Sequence, residues 1–148
     1  MRSLIQVALA LLTGIVTGAA YAADFRSVSV NAAVLYDAPS RSAVPLFVLS
    51  SGYPVEVIVN LEAWVKVRDH TGALSWVERR ALAERRTVLV IAGSADARQR
   101  PEETAPVAFR AQQFVTFNLV EVGAGGWIRV QHADGTSGFM RANQLWGL

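Results

Sequence analysis

Cysteine is absent from the 148 residues. A chain without it forms no disulfide, carries no thiol for lipid attachment and supplies no cysteine nucleophile. Histidine is scarce: His70 and His132 are not at equivalent places, and no His-x-Glu pattern supplies further ligands. No metal and no cofactor are therefore expected. Lysine is scarcer still, with Lys66 alone among the basic residues in not being an arginine. No charge of one sign dominates either. Beyond residue 22, thirteen basic side chains stand against twelve acidic ones, and the densest basic spot, Arg79-Arg80 with Arg85-Arg86, is interleaved with Glu78 and Glu84. Such a balance makes no long-range basic field, which excludes nucleic acid as an expected partner. Long apolar runs are confined to one place. Leu4 to Leu12, broken only by Gln6, follows Met1-Arg2-Ser3 and precedes Gly18-Ala19-Ala20-Tyr21-Ala22. A positive start, an apolar core of about ten residues and an Ala-x-Ala end predict a secretory signal peptide over residues 1–22. Spanning a bilayer takes about 20 apolar residues. No membrane span is expected after cleavage, and the mature chain is expected in the periplasm or outside the cell.

What is present is a repeat. Trp64, Val67, Gly72, Trp76, Val77 and Leu82 recur at the same intervals as Trp127, Val130, Gly135, Phe139, Met140 and Leu145. Val57 and Val59 precede Trp64 as Val120 and Val122 precede Trp127, and Tyr36-Asp37-Ala38-Pro39 answers Arg98-Gln99-Arg100-Pro101 with one residue of slippage. The mature chain divides into two copies, residues 23–84 and 85–148. Within each copy the apolar residues alternate over short stretches. Val65 and Val67 fall on one face of Trp64-Val65-Lys66-Val67-Arg68, and Lys66 and Arg68 on the other. That period of two predicts half-buried antiparallel strands. Asp69-His70-Thr71-Gly72 predicts a tight turn, and Ala133-Asp134-Gly135-Thr136 a two-residue hairpin loop built on Asp-Gly. The fold class is all-β.

The ordered set Gly52, Trp64, Val67, Gly72, Trp76, Val77 and Leu82, echoed by Trp127, Val130, Gly135, Gly138, Phe139 and Leu145, resembles the bacterial SH3-like (SH3b) domain. The resemblance covers the whole mature chain and implies two tandem small SH3-like β-barrels and a role in the cell envelope. Departures are visible. Ser75 stands where the family has a glycine, Phe139 where it has a tryptophan, and copy two lacks the aromatic that matches Tyr36.

Catalysis needs a nucleophile, a base and a group to orient it. The carboxylates sit in turns or beside arginine, and Gly123 to Gly126 is followed by neither Lys-Ser nor a helix, so it is no phosphate loop. A non-catalytic chain is expected. What remains is surface recognition, in which exposed aromatics are set among a few polar groups. In copy one, Tyr36, Tyr53, Trp64 and Trp76, rimmed by Asp37, Lys66 and Arg68, are the candidate ligand-binding set. The resemblance implies cell-wall peptidoglycan or a peptide as ligand. The alternative is a structural or adaptor protein that docks onto another envelope protein. A contrary role for the aromatics is to seal the junction between copies, since the connection Ala83-Glu84-Arg85-Arg86 is too short to hold them apart.

Overall fold

The computed structural model describes residues 22–148. The expected leader, apart from Ala22, lies outside the described residues. Fourteen strands and no α-helix make up these residues. Copy one holds β1 (Phe25–Val28), β2 (Ala33–Tyr36), β3 (Pro45–Leu49), β4 (Pro54–Asn60), β5 (Trp64–Arg68), β6 (Leu74–Glu78) and β7 (Leu82–Ala83). Copy two repeats the series as β8 (Thr87–Val90), β9 (Ser94–Arg98), β10 (Val107–Gln112), β11 (Thr116–Val122), β12 (Trp127–Gln131), β13 (Ser137–Arg141) and β14 (Leu145–Trp146). The seven-stranded sheets have the same order, β3-β2-β6-β5-β4-β1-β7 and β10-β9-β13-β12-β11-β8-β14. Among the described residues no strand pairing joins the two ends of either sheet. No helix of the described residues is long and apolar enough to cross a membrane.

The alternation read from the sequence sets which face is buried. In β5, Val65 and Val67 are buried while Trp64, Lys66 and Arg68 are half-exposed, and β6 alternates in step with it. Each sheet folds its apolar face around a core of its own. One is built on Val28, Leu35, Val55, Val65, Val67 and Val77, and the other on Val88, Val90, Phe117, Ile128, Val130 and Met140. Burying one such aliphatic side chain contributes roughly 1.5–3 kcal/mol, and without disulfides these two clusters carry the fold.

Two details of the expected repeat are corrected by strand register. Val57 pairs with Val67 across β4 and β5, whereas the partner of Val130 across β11 and β12 is Leu119. The structural counterpart of Val57 is thus Leu119, not Val120, and that of Val59 is Glu121, not Val122. The turn before Trp127 is one residue longer than the turn before Trp64, and this length difference is the slippage seen upstream. The Asp134-Gly135 hairpin is a three-residue loop rather than a two-residue one. His132 N–H donates to the Thr136 carbonyl at 2.8 Å, and Gly135 takes the left-handed conformation at φ 92° that such loops require.

The two copies pack against each other. All four residues of β8 are buried, yet only Val88 and Val90 belong to the core of copy two. The opposite face of this strand lies against β4 of copy one. Phe25 and Trp146 meet edge to face with ring centres 5.2 Å apart. The Arg86 guanidinium lies 5.5 Å from the Phe25 ring centre and donates to the Gly147 carbonyl at 2.7 Å. A methyl group on Gly147 would fall 2.6 Å from the Thr87 carbonyl and 3.1 Å from the Pro54 side chain. No other residue fits that approach.

Candidate functional site

Strand β6 lies between β2 and β5, and its register aligns three outward side chains in a row: Tyr36 opposite Trp76, and Trp76 opposite Lys66. Their neighbours along each strand point into the core, so the alternation alone sends these three to the surface. Trp64, at the start of β5, places its ring 5.6 Å from that of Tyr36 at an interplanar angle of 84°. The ammonium of Lys66 lies 5.8 Å from the centre of the Trp76 ring. Four of the expected ligand-binding residues, Tyr36, Trp64, Lys66 and Trp76, therefore form one continuous aromatic surface.

The other three are placed elsewhere in the same copy. Arg68 shares the outward face of β5 but is paired with Glu56 at 3.0 Å. Asp37 closes the β2–β3 loop: its N–H donates to the Val44 carbonyl at 3.1 Å and its carboxylate accepts from the Val44 N–H at 2.9 Å. Its role is to shape the loop. Tyr53 does not join the patch. Its hydroxyl hydrogen-bonds the His70 Nδ1, and the His70 ring in turn meets Phe114 of copy two at a tilt of 54°, with ring centres 5.3 Å apart. Tyr53 belongs to the junction between copies. The sealing role thus falls to Tyr53, together with Phe25, Phe114 and Trp146, while Tyr36, Trp64 and Trp76 stay on the open face.

Three residues outside the expected ligand-binding set, Arg41, Glu78 and Arg80, complete the surface. Arg41, in the loop that Asp37 closes, forks onto Glu78, with its Nη2 donating to Oε2 at 3.1 Å. Arg80 donates to the same carboxylate through its Nε. These bonds, from Arg41 first and Arg80 second, hold the Glu78 carboxyl down at about 2. The Arg41–Glu78–Arg80 cluster separates two clefts. One is walled by Val30, Val34 and Tyr36, and the other by Pro39 and Trp64. Arg79 stiffens the second cleft by donating to the carbonyls of Glu62, at 2.7 Å, and Leu61. The signal for Glu78 was available, because it stands two residues beyond Trp76 on an alternating strand. Arg41 carried no such signal, since a loop residue's partner is set by tertiary structure.

The same place in copy two holds a cleft lined mainly by charged side chains, among them Asp96, Arg98, Glu103 and Arg141. Trp127 is only 8% exposed, and the Arg141 guanidinium lies over its ring at 4.7 Å. Arg98 replaces Tyr36 opposite Phe139 and donates to the Ala105 carbonyl at 3.0 Å. Glu103 reaches Arg141 at 3.4 Å, and Asp96 bonds Arg110 at 2.6 Å. Among the described residues no group of three or more His, Cys, Asp or Glu side chains is placed to hold a metal ion.

The solved structures similar to this chain include NlpC2 and NlpC1 from Trichomonas vaginalis and an NlpC/P60 family protein from Bacillus cereus. For NlpC2 the identity is 14% with a TM-score of 0.40, over 84% of this chain and 48% of that one. For NlpC1 it is 15% with a TM-score of 0.40, over 87% and 47%. For the Bacillus cereus protein it is 18% with a TM-score of 0.38, over 82% and 55%. The chain spans about half the length of these structures. No curated protein matches it. The profile of the bacterial SH3 domain family matches residues 29–84 and again residues 92–147, one match on each sheet. The chain belongs to the bacterial SH3 domain family and carries two tandem copies of that domain.

Proposed function

We propose that this protein is an exported, non-catalytic binding module of the cell envelope, and that copy one grips peptidoglycan or a peptide through the clefts on either side of Glu78. The reading includes export by residues 1–22 and the curling of each sheet into a small open barrel; a single apolar core per sheet supports the latter. The observation that carries it is the contrast between copies. The Tyr36–Trp64 pair is left half-exposed beside two clefts, while its counterpart in copy two is capped by Arg141. Rigid aromatic rings flanked by ionic groups suit extended ligands, because they offer apolar area with little side-chain freedom to lose.

The test is saturable binding of the mature chain, residues 23–148, to isolated sacculi. Trp64→Ala or Tyr36→Ala should abolish binding, while Val122→Ser on the exposed surface of copy two should leave it intact. Equal binding by all three variants, or none by the parent chain, refutes the reading.

A second reading, an adaptor that docks onto another envelope protein, is favoured by β3. This edge strand, Pro-Leu-Phe-Val-Leu, has no charged residue, and Leu46, Phe47 and Val48 are exposed by 42%, 47% and 64%. An uncharged open edge offers its backbone groups to another strand. Stoichiometric co-purification with one envelope protein, lost on Phe47→Lys, supports this reading.

A further inference from the structure

The groove of copy one is not electrically neutral. Two guanidiniums, Arg41 and Arg80, share the single carboxylate of Glu78. One positive charge is left over, and it sits at the mouth of both clefts. Arg79 and Glu62, which also line the Trp64 side, offset one another. The side chains of Arg41 and Arg80 are 65% and 76% exposed. Among the described residues, Arg41 Nη1 and both Nη atoms of Arg80 make no hydrogen bond. The cleft beside them has an apolar wall of Val30, Val34 and Tyr36.

The duplicate supplies the comparison that makes this surplus informative. Strand register equates Arg41 with Glu103, Glu78 with Arg141 and Val34 with Asp96. Arg80 corresponds to Asn143. Copy two therefore holds the same loop-to-strand ion pair with its polarity reversed and no second guanidinium on the shared carboxylate; its own spare cation, Arg98, is turned onto the Ala105 carbonyl. Where copy one sets Val34 against Val48, copy two sets Asp96 against Arg110. The fold needs one bridge across this loop, and either polarity supplies it. The second arginine and the apolar wall of copy one are extra to that need.

We propose that the copy-one groove takes an extended peptide that carries a free carboxylate, with the carboxylate seated between Arg41 and Arg80 and the preceding small apolar side chain against Val34 and Tyr36. This rests on the reading of copy one as the binding copy and names the chemistry it selects. A guanidinium presents parallel N–H groups that match a carboxylate's two oxygens, and the match adds specificity as well as affinity.

The test titrates mature, isotope-labelled protein with N-acetyl-Ala-Ala-Ala as the free acid and as the C-terminal amide, following the Trp64 indole N–H by NMR. The acid should bind roughly tenfold more tightly than the amide, as expected for one charge-assisted pair. Arg80→Asn, which installs the residue found in copy two at an exposed site, should erase the preference, and added salt should shrink it. Equal binding of acid and amide, or a preference that survives Arg80→Asn, overturns the proposal. Sacculi bound by a protein that ignores both peptides would overturn it too, while leaving the binding reading in place. Failure to bind sacculi and peptides alike would remove both.

Discussion

Replacing Phe25 and Trp146 by leucine, singly and together, tests whether the two copies form one cooperative unit. The rings meet edge to face at 5.2 Å across the junction, and Phe25 is 6% exposed. Leucine keeps part of the buried apolar area, so each single change should cost about 1–3 kcal/mol from lost volume and shape, more at Trp146 than at Phe25. An edge-to-face aromatic pair adds about 0.5–1.5 kcal/mol beyond the area it buries. That increment is lost in full in either single variant and cannot be lost twice. The double variant should therefore be less destabilised than the two singles added together, by about 1 kcal/mol. Urea unfolding followed by tryptophan fluorescence and by far-ultraviolet circular dichroism gives the four stabilities. The parent should show one transition, coincident by both probes. The reasoning fails if the effects add to within about 0.3 kcal/mol, the scatter of independent sites. It also fails if the chain melts in two steps and the Phe25 substitution moves only one of them.

Other expectations follow from single positions. The Glu78 carboxyl is lowered from 4.5 to about 2 in the folded chain. A depressed carboxyl contributes stability that is complete above its ordinary value and is lost as pH falls through the folded one. The urea midpoint should drop between pH 4.5 and 2, and Glu78→Gln should flatten that part of the profile; an unchanged slope refutes the pairing. Gly138→Ala should destabilise by about 1–3 kcal/mol through overpacking, because its methyl would sit 2.8 Å from the Ala97 Cβ and 3.2 Å from the Arg98 carbonyl. Thermal unfolding measures this, and a melting temperature equal to the parent's would contradict it. Arg141→Ala should uncover Trp127 and raise acrylamide quenching of its fluorescence, since the guanidinium lies 4.7 Å above that ring. Quenching unchanged from the parent would refute the capping.

The strands of copy one were legible because a half-buried strand writes its own orientation. β5 coincides with the residues expected, and the Val65–Val67 face is the buried one. The adjacency of Tyr36, Trp64 and Trp76 was also accessible, as all three lie on outward faces of strands that the family places side by side. What sequence could not show was where a loop residue goes. Arg41 finds Glu78 across 37 positions, and nothing local marks that contact. Tyr53 misled for a related reason. It is an aromatic at a strand entrance like the others, yet it faces the second copy, whose position no single-copy pattern encodes. Phe114 shows the same limit from the other side. It occupies the place of Gly52 and shares its left-handed backbone, at φ 69° against 88°. A reader expecting glycine there sees only a mismatch, whereas the structure shows a ring held out towards His70.

The Gly52–Phe114 equivalence bears on how the copies assemble. Gly52 N–H donates to the Val28 carbonyl, and Phe114 N–H donates to the Val90 carbonyl, so the two residues anchor the same turn in each copy. Gly52 lies against Thr116 of the other copy, and Phe114 against His70. β4 thus lies against β8, and the Gly52 turn of copy one and the Phe114 turn of copy two both lie at the junction. The junction contacts leave the Tyr36 row and its arginine-filled counterpart outside them. Once that surface was free in both copies, the loop-to-strand ion pair could reverse its polarity in one copy without disturbing the other. The open aromatic clefts and the capped tryptophan are thus two states of one position that the junction leaves unconstrained.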